Sequence, residues 1–207
     1  MYFHYYNRFF QFLFPNRLWS RKTEEKVIYL TFDDGPIPEV TEFVLDQLRD
    51  NNAKATFFCV GDNIKKHPEV YNRLLKEGHR SGNHTFNHLN GITVPTKEYV
   101  KNVEWCSSVI RDRFEGKELF RPPYGRLTSK QVWLLKDHYE VVMWSVLSGD
   151  FDQALSKEEC LAKSIQYSEN GTIIVFHDSV KTIDKLKWVL PRYLAHFNQL
   201  GFRFACL

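Results

Sequence analysis

Short, nearly unbroken runs of β-branched and aromatic residues recur along the chain, each followed by a stretch whose apolar positions fall three or four apart. Runs of the first kind read as buried strands, and stretches of the second as amphipathic helices. Residues 26–30 predict the first strand, and 39–51 a helix with Val40, Phe43, Val44 and Leu48 on one face. Residues 54–60 predict a strand, 62–77 a helix stopped by Gly78, and 79–82 a short segment before His84. A long helix is expected over 96–114, with Val100, Val103, Cys106, Val109 and Ile110 as its apolar face. Then come a short strand at 119–121, a helix at 128–137 capped by Thr128 or Ser129, and a strand at 140–146. A helix at 156–167, a strand at 172–176, a helix at 183–200 with Pro191 inside it, and a strand at 202–206 complete the pattern.

Strand and helix alternate about seven times with short connections, which argues an α/β fold with a largely parallel sheet. No repeat or linker interrupts residues 24–207, so they read as one domain behind an N-terminal arm, 1–23. An open doubly wound sheet and a closed barrel both fit. In either, ligands sit beyond the C-terminal ends of the strands.

Composition narrows the function classes. The 207 residues suit a single core, and a formal charge of +3 without any Lys/Arg tract gives no case for nucleic acid. Cys59, Cys106, Cys160 and Cys206 are scattered without metal or redox spacing and read as reduced, mostly buried thiols. The arm is unusual: residues 1–22 hold nine aromatics, the cations Arg8, Arg17, Arg21 and Lys22, and no acid. Asn7, Arg8, Gln11 and Pro15 break its apolar run too often for a bilayer span, and no cleavable signal peptide is evident. Two readings remain: a cover over apolar surface of the domain, or a peripheral membrane contact through residues 1–22. The expected location is accordingly the cytoplasm or a membrane surface.

Polar residues of catalytic type collect at the predicted strand ends. Asp33 and Asp34 follow the first strand, His84 and His88 the short segment, and Arg121-Pro122-Pro123-Tyr124-Gly125 the next. Asp150 follows the strand bearing Trp144, and His177-Asp178 follows Ile173-Ile174-Val175-Phe176. Two imidazoles four apart, in a helix or tight turn, reach one metal ion. With one carboxylate they make a two-His, one-carboxylate set with open positions, suited to Zn²⁺ or another divalent ion. Because neither proline has an N–H, the stiff Pro122-Pro123 segment can aim the Tyr124 N–H at a developing oxyanion. An Fe(II) oxygenase shares the ligand set, and a carbohydrate-binding module without catalysis is a non-enzymatic alternative.

Five blocks, Thr31-Phe32-Asp33-Asp34-Gly35-Pro36, His84-Thr85-Phe86-Asn87-His88, Arg121 to Gly125, Trp144 to Phe151 and Val175 to His177, resemble the NodB-homology polysaccharide deacetylases, carbohydrate esterase family four. The resemblance spans roughly residues 27–207 and implies a distorted (β/α) barrel of about seven strands. It implies a metal-dependent hydrolase that frees acetate from the N-acetyl groups of a glycan such as peptidoglycan or chitin, with O-acetyl esterase activity as an alternative. By position, Asp33 would be the general base, and Asp34, His84 and His88 the ligands of Zn²⁺, Co²⁺ or another divalent ion. Arg121 would orient Asp33, Tyr124 would donate its N–H to the oxyanion, His177 would be the general acid, and Asp150 would hold its imidazole. Pro122, Tyr124, Phe151 and Val175 would line the substrate groove; Phe151 and Val175 stand where the family often has Trp and Leu.

Overall fold

The computed structural model describes residues 3–6, 12–112 and 116–207. In chain order the elements are β1 (Val27–Asp33), α1 (Val40–Asp50), β2 (Thr56–Cys59), α2 (Gly61–Lys66), α3 (Pro68–Lys76), β3 (Arg80–Asn83) and α4 (Thr96–Ser107). They continue with β4 (Glu118–Phe120), a 3₁₀ turn (Pro123–Gly125), α5 (Ser129–Leu135), β5 (Tyr139–Val141) and β6 (Val146–Leu147). Last come α6 (Lys157–Tyr167), β7 (Ile173–His177), α7 (Ile183–Gln199) and β8 (Arg203–Ala205). The strands hydrogen-bond in the order β5-β4-β3-β2-β1-β7-β6, all parallel, and β8 pairs with the first half of β1. The seven-stranded path curls into a half-barrel, so the barrel reading holds over the open doubly wound sheet.

Alternation along each strand separates two cores. Ile28, Leu30 and Phe32 of β1, Phe57 and Cys59 of β2, and Ile174 and Phe176 of β7 face the helices. There they meet Val44 and Leu48 of α1 and Leu190, Tyr193 and Leu194 of α7. The intervening positions, Phe58, Phe120, Val141, Ile173 and Val175, fill the barrel interior with Trp144 and Trp19. Asp33 and Thr31 fall on that interior phase, so the β1 pleat carries the first carboxylate inward while Phe32 seals the outer layer. The four cysteines are free thiols, three of them buried.

Three elements differ from the sequence pattern, each for an identifiable reason. The helix expected over 62–77 is two helices, because Pro68 opens α3 and forces His67 out of the helical region (φ −129°, ψ 56°). The helix expected over 96–114 stops at Ser107, where Ser107 and Ser108 hydroxyls bond back to the Val103 and Trp105 carbonyls. Ile110 still reaches the core from beyond that end, and Phe114 lies outside the described residues. Pro191 sits inside α7 without ending it. The strand expected over 140–146 divides into β5 and β6, which form the two edges of the curled sheet.

That division reflects where the intervening backbone groups bond. The Val142 and Met143 carbonyls accept from Arg121, and the Met143 N–H donates to Leu18 of the arm. Leu18 also donates to Val141, Tyr6 to Ser145, and Leu147 to the His4 carbonyl, so arm residues stitch the seam between the two edges. Trp19 is buried, with the Tyr6 ring stacked 5.6 Å away and Phe14 at 6.5 Å. The arm thus covers apolar surface at the seam, while Phe12, Leu13 and Phe14 remain exposed. No helix among the described residues is long and apolar enough to cross a membrane.

Trp19→Ala should therefore lower stability by about 3 kcal/mol, the cost of emptying a well-packed aromatic site. Urea denaturation monitored by circular dichroism reads this. A change within the ~0.5 kcal/mol typical of surface substitutions would show that the arm is not part of the core.

Candidate active site

Parallel strands deliver their C-terminal ends to one rim, and the polar residues singled out in the sequence meet there. Asp33 ends β1, where it pairs in register with His177 at the end of β7. On the other flank of β1, His84 follows β3 directly, and Arg121 follows β4. Three ligand atoms from Asp34, His84 and His88 lie within 4.8 Å of one another. His88 Nε2 is 3.1 Å and His84 Nε2 3.8 Å from Asp34 Oδ1.

The two histidines converge through a loop rather than a helix. Thr85 and His88 both occupy the left-handed region, with φ of 61° and 55°. Side-chain amides hold the loop there: Asn102 Oδ1 accepts from the Phe86 and Asn87 N–H groups, and Asn83 Oδ1 from Thr85 N–H. Thr85 Oγ1 accepts from Leu89 N–H. Asp34 has a φ of 84°, which turns its side chain out of the β1 pleat towards the imidazoles. Such backbone costs about 1–3 kcal/mol at each non-glycine residue, and here it sits where the ligands must converge.

These residues fit a divalent cation. Asp34 Oδ1 is buried without a hydrogen bond among the described residues, although imidazole nitrogens surround it. His84 Nδ1 lies 2.8 Å from the Arg121 carbonyl, to which it can only donate. That bond fixes the tautomer and leaves the Nε2 lone pair aimed at Asp34. Burial, with His88 nearby, pushes His84 down to about 4 against the pull of Asp33, so the ring is neutral near neutrality. Burial pushes the Asp34 carboxyl up, but His88 and the charge at His177 outweigh it and hold the group below the usual carboxylate range.

The two remaining polar pairs are tuned in different ways. Arg121 is wholly buried and donates from Nη1 to Asp33 Oδ1 at 2.7 Å and to Thr31 Oγ1 at 2.7 Å. Its Nη2 donates to the Met143 carbonyl at 2.8 Å, and its guanidinium lies 4.1 Å from the Phe58 ring centre. Asp33 thereby has a fixed cationic partner in the interior. Asp150, also fully buried, accepts from His177 Nδ1 at 2.8 Å and from His177 N–H at 2.7 Å. Burial pulls the His177 imidazole down, but Asp150, with Asp34 and Asp33 behind it, raises it to about 9. One face of the rim thus holds an acceptor and the other a charged donor.

Tyr124 also takes a left-handed conformation, with φ 60° and ψ 7°. Gly125 N–H bonds the Pro122 carbonyl, whereas no acceptor among the described residues takes the Tyr124 N–H. The Tyr124 side chain is 61% exposed, and its ring stands edge-on to His88 at 4.8 Å. Phe151, 38% exposed, meets the His177 ring at 5.2 Å. Pro122 and Val175 do not belong with them. Both are buried, Val175 with no exposed surface, because it lies one pleat below His177 in the barrel interior. Neither side chain can line a substrate groove.

Asp178 was noted at a strand end but given no role, and the structure makes it the fastening of the Asp33-Asp34-Gly35-Pro36 turn. Its carboxylate accepts from Gly35 N–H at 3.0 Å and from the Thr41 hydroxyl, and its own N–H bonds the Asp33 carbonyl at 3.0 Å. Burial, reinforced by the Asp34 charge, pushes it up to about 8. A Cβ on Gly35 would lie 2.0 Å from Asp178 Oδ2, so only glycine admits this approach. Thr31 was legible in principle, two residues before Asp33 on the same strand face. Asn63, which donates to the Asp34 carbonyl at 2.7 Å, and Asn102 carried no signal, being long-range partners of backbone groups.

The comparisons with known proteins agree with this geometry. The family described as Polysaccharide deacetylase matches residues 20–141. A peptidoglycan-N-acetylglucosamine deacetylase of Bacillus cereus is 31% identical over 188 residues, spanning 90% of this chain and 88% of its own. Chitin deacetylase 2 of Saccharomyces cerevisiae is 37% identical over 168 residues, 74% of this chain and 51% of its own length. The crystal structure of a peptidoglycan N-acetylglucosamine deacetylase in complex with 4-naphthalen-1-yl-N-oxidanyl-benzamide superposes with a TM-score of 0.83 at 30% identity, covering 96% of this chain and 94% of that one. The half-barrel of parallel strands is the fold shared with that solved structure. This chain belongs to the polysaccharide deacetylase family, which sets aside the Fe(II) oxygenase reading.

Asp178→Ala should leave the Gly35 N–H and Thr41 hydroxyl without their buried acceptor, at a cost of about 2 kcal/mol. Deacetylase turnover should fall at least ~10-fold as the Asp33-Asp34 turn loosens. Urea melts and acetate release measure the two effects; unchanged turnover would show that Asp178 does not position the pair.

Proposed function

We propose that this chain is a metal-dependent N-deacetylase acting on N-acetylated amino sugars in a peptidoglycan- or chitin-like glycan. The observation that carries the reading is the placement of Asp33–Arg121 and His177–Asp150 on the rim that also holds Asp34, His84 and His88. Asp34, His84 and His88 would hold the divalent ion, for which Zn²⁺ suits the nitrogen-rich set. Such an ion supplies Lewis-acid polarisation of a carbonyl and a lower pKa for water.

The chain's own groups account for the proton movements. Asp33, aimed by Arg121, takes a proton from the water that attacks the acetamide carbonyl carbon. The Tyr124 N–H points its donor at the oxygen that becomes negative, a contribution of about 3 kcal/mol for one such backbone group. His177, charged through Asp150, gives its Nε2 proton to the amide nitrogen as the C–N bond breaks. Acetate and a free amino sugar result. An imidazolium raised to about 9 favours an amide over an ester, since an amine leaves only when protonated. Exposed Tyr124 and Phe151 rings flank the rim and offer apolar faces to sugar rings.

Acetate release from N-acetylglucosamine oligomers and from N-acetylated peptidoglycan, with zinc supplied and then with a chelator, tests the reading. Release abolished by chelation supports it; no acetate from either glycan with zinc present overturns it.

Asp33→Asn should retain the ion yet lose at least ~100-fold in kcat, whereas His84→Ala should lose both ion and turnover. Metal content measured on the purified variants separates the two. Full activity in Asp33→Asn would remove it from the role of base.

The pH profile carries a signature of His177. Its raised pKa keeps the acid form populated below about 9, so kcat should decline as pH rises through that region. A cation at Asp34 offsets part of the negative charge there and places the limb at or below about 9. A rate still rising at pH 10 would contradict His177 as the acid.

A further inference from the structure

The end of the barrel opposite the catalytic rim carries a cavity of about 800 Å³. Because the strands are parallel, their first residues gather at this end: Arg80 opens β3, Tyr139 opens β5 and Lys117 precedes β4, and all three line it. Arg17, Arg21 and Lys136 complete a lining in which five cations face two carboxylates, Asp137 and Glu140. Two of the five cations are ion-paired. Arg21 is 3.8 Å from Glu140 with both side chains about 40% exposed, and Arg80 is engaged by Asp112 at 2.9 Å. Lys117 Nζ donates to a backbone oxygen, that of Lys136, at 2.6 Å, and the Arg17 guanidinium rests 4.6 Å from the Phe14 ring centre.

Phe14 is the last of three consecutive apolar residues beside this cavity. Phe12, Leu13 and Phe14 are all exposed, Phe12 by 80%, and they run straight into the lining residues Pro15 to Leu18. Trp133 on α5, also exposed, has Lys136 Nζ 5.9 Å from its ring. Exposed aromatics beside Arg17, Lys117 and Lys136, which form no ion pair among the described residues, in an arm without a single acid, match one kind of environment. A free anion would account for the cavity but leave the apolar run in water, and an apolar protein partner would account for the run but leave the cations unmatched. An anionic bilayer surface accounts for both, offering phosphates at the depth where aromatic side chains settle.

We infer that this basal face docks on an anionic phospholipid surface, with Phe12, Leu13 and Phe14 at the acyl boundary and headgroup phosphates in the cationic cavity. Docked in this way, the barrel turns its catalytic rim away from the bilayer.

The full chain, mixed with phosphatidylcholine vesicles with and without phosphatidylglycerol at about 0.1 M salt, should co-sediment at least ~10-fold more strongly with the anionic ones. Lys117→Glu with Lys136→Glu should lower that binding ~10-fold or more, and Phe12→Ser with Leu13→Ser should do the same. Acetate release from a soluble oligosaccharide, unchanged in both double variants, shows that they are folded. Equal binding to both vesicle types, binding to neither, or double variants that bind like the parent would overturn the inference. Displacement from anionic vesicles by inorganic phosphate, but not by chloride of equal ionic strength, would assign the cavity to a free anion and overturn it equally.

Discussion

Almost every feature of the catalytic rim depends on one buried cation. The Arg121 guanidinium reaches Asp33 and Thr31 on β1, and the Val142 and Met143 carbonyls at the seam. It is enclosed by the Phe58 ring and the Trp144 ring. Its own backbone carbonyl accepts a hydrogen bond from His84 Nδ1–H, and its N–H donates to the Asn83 carbonyl. A charge buried this completely costs several kcal/mol unless it is paired and its donors are satisfied. Asp33 and the carbonyls around it supply that compensation, and in doing so they are themselves fixed. One residue therefore orients the proposed base through its guanidinium, sets the tautomer of a proposed ligand through its backbone carbonyl, and ties β1 to the Val142-Met143 segment after β5.

Around that anchor the rim is built from backbone that most residues avoid. Asp34, Thr85, His88 and Tyr124 all have positive φ, and each belongs to a ligand, a ligand loop or the proposed oxyanion donor. The cost is offset nearby by side chains whose carboxylate or amide groups satisfy the displaced backbone: Asp178 under Gly35, Asn102 under Phe86 and Asn87, and Asn83 under Thr85. Strain and support are adjacent, so the geometry is held without a bound substrate.

The two ends of the barrel have opposite electrostatic character because parallel strands sort their termini. Carboxylates and imidazoles gather where the strands end, and Arg and Lys where they begin. Burial and mutual pairing tune the first set; in the second, Glu140 and Asp112 pair Arg21 and Arg80, while Lys117 and Lys136 are exposed. The N-terminal arm belongs to both. Its Trp19, Leu18 and Tyr6 finish the seam beneath the rim, and its Phe12 to Phe14 segment borders the basal cavity.

The sequence by itself determined the α/β alternation, the single core and the candidate residues Asp33, Asp34, His84, His88, Arg121, Tyr124, Asp150, Phe151 and His177. The polar ones were legible because strand patterns end in full view, and polar residues at such ends contradict the pattern before them; Phe151 came from the family resemblance alone. Where the expected helices or strands were divided or cut short, the causes were Pro68 opening α3, the serine pair ending α4, and Arg121 with Leu18 drawing away the backbone of 142–143. Only the tertiary structure decided that the sheet curls, that Val175 and Pro122 lie inside rather than in a groove, and that Asp178 fastens the Asp33-Asp34 turn. Those outcomes rest on contacts between residues as far apart as Gly35 and Asp178, 143 positions along the chain. Periodicity tells which face of a strand a residue occupies, but depth below the rim and the partner of a buried carboxylate are fixed only when distant strands pack side by side.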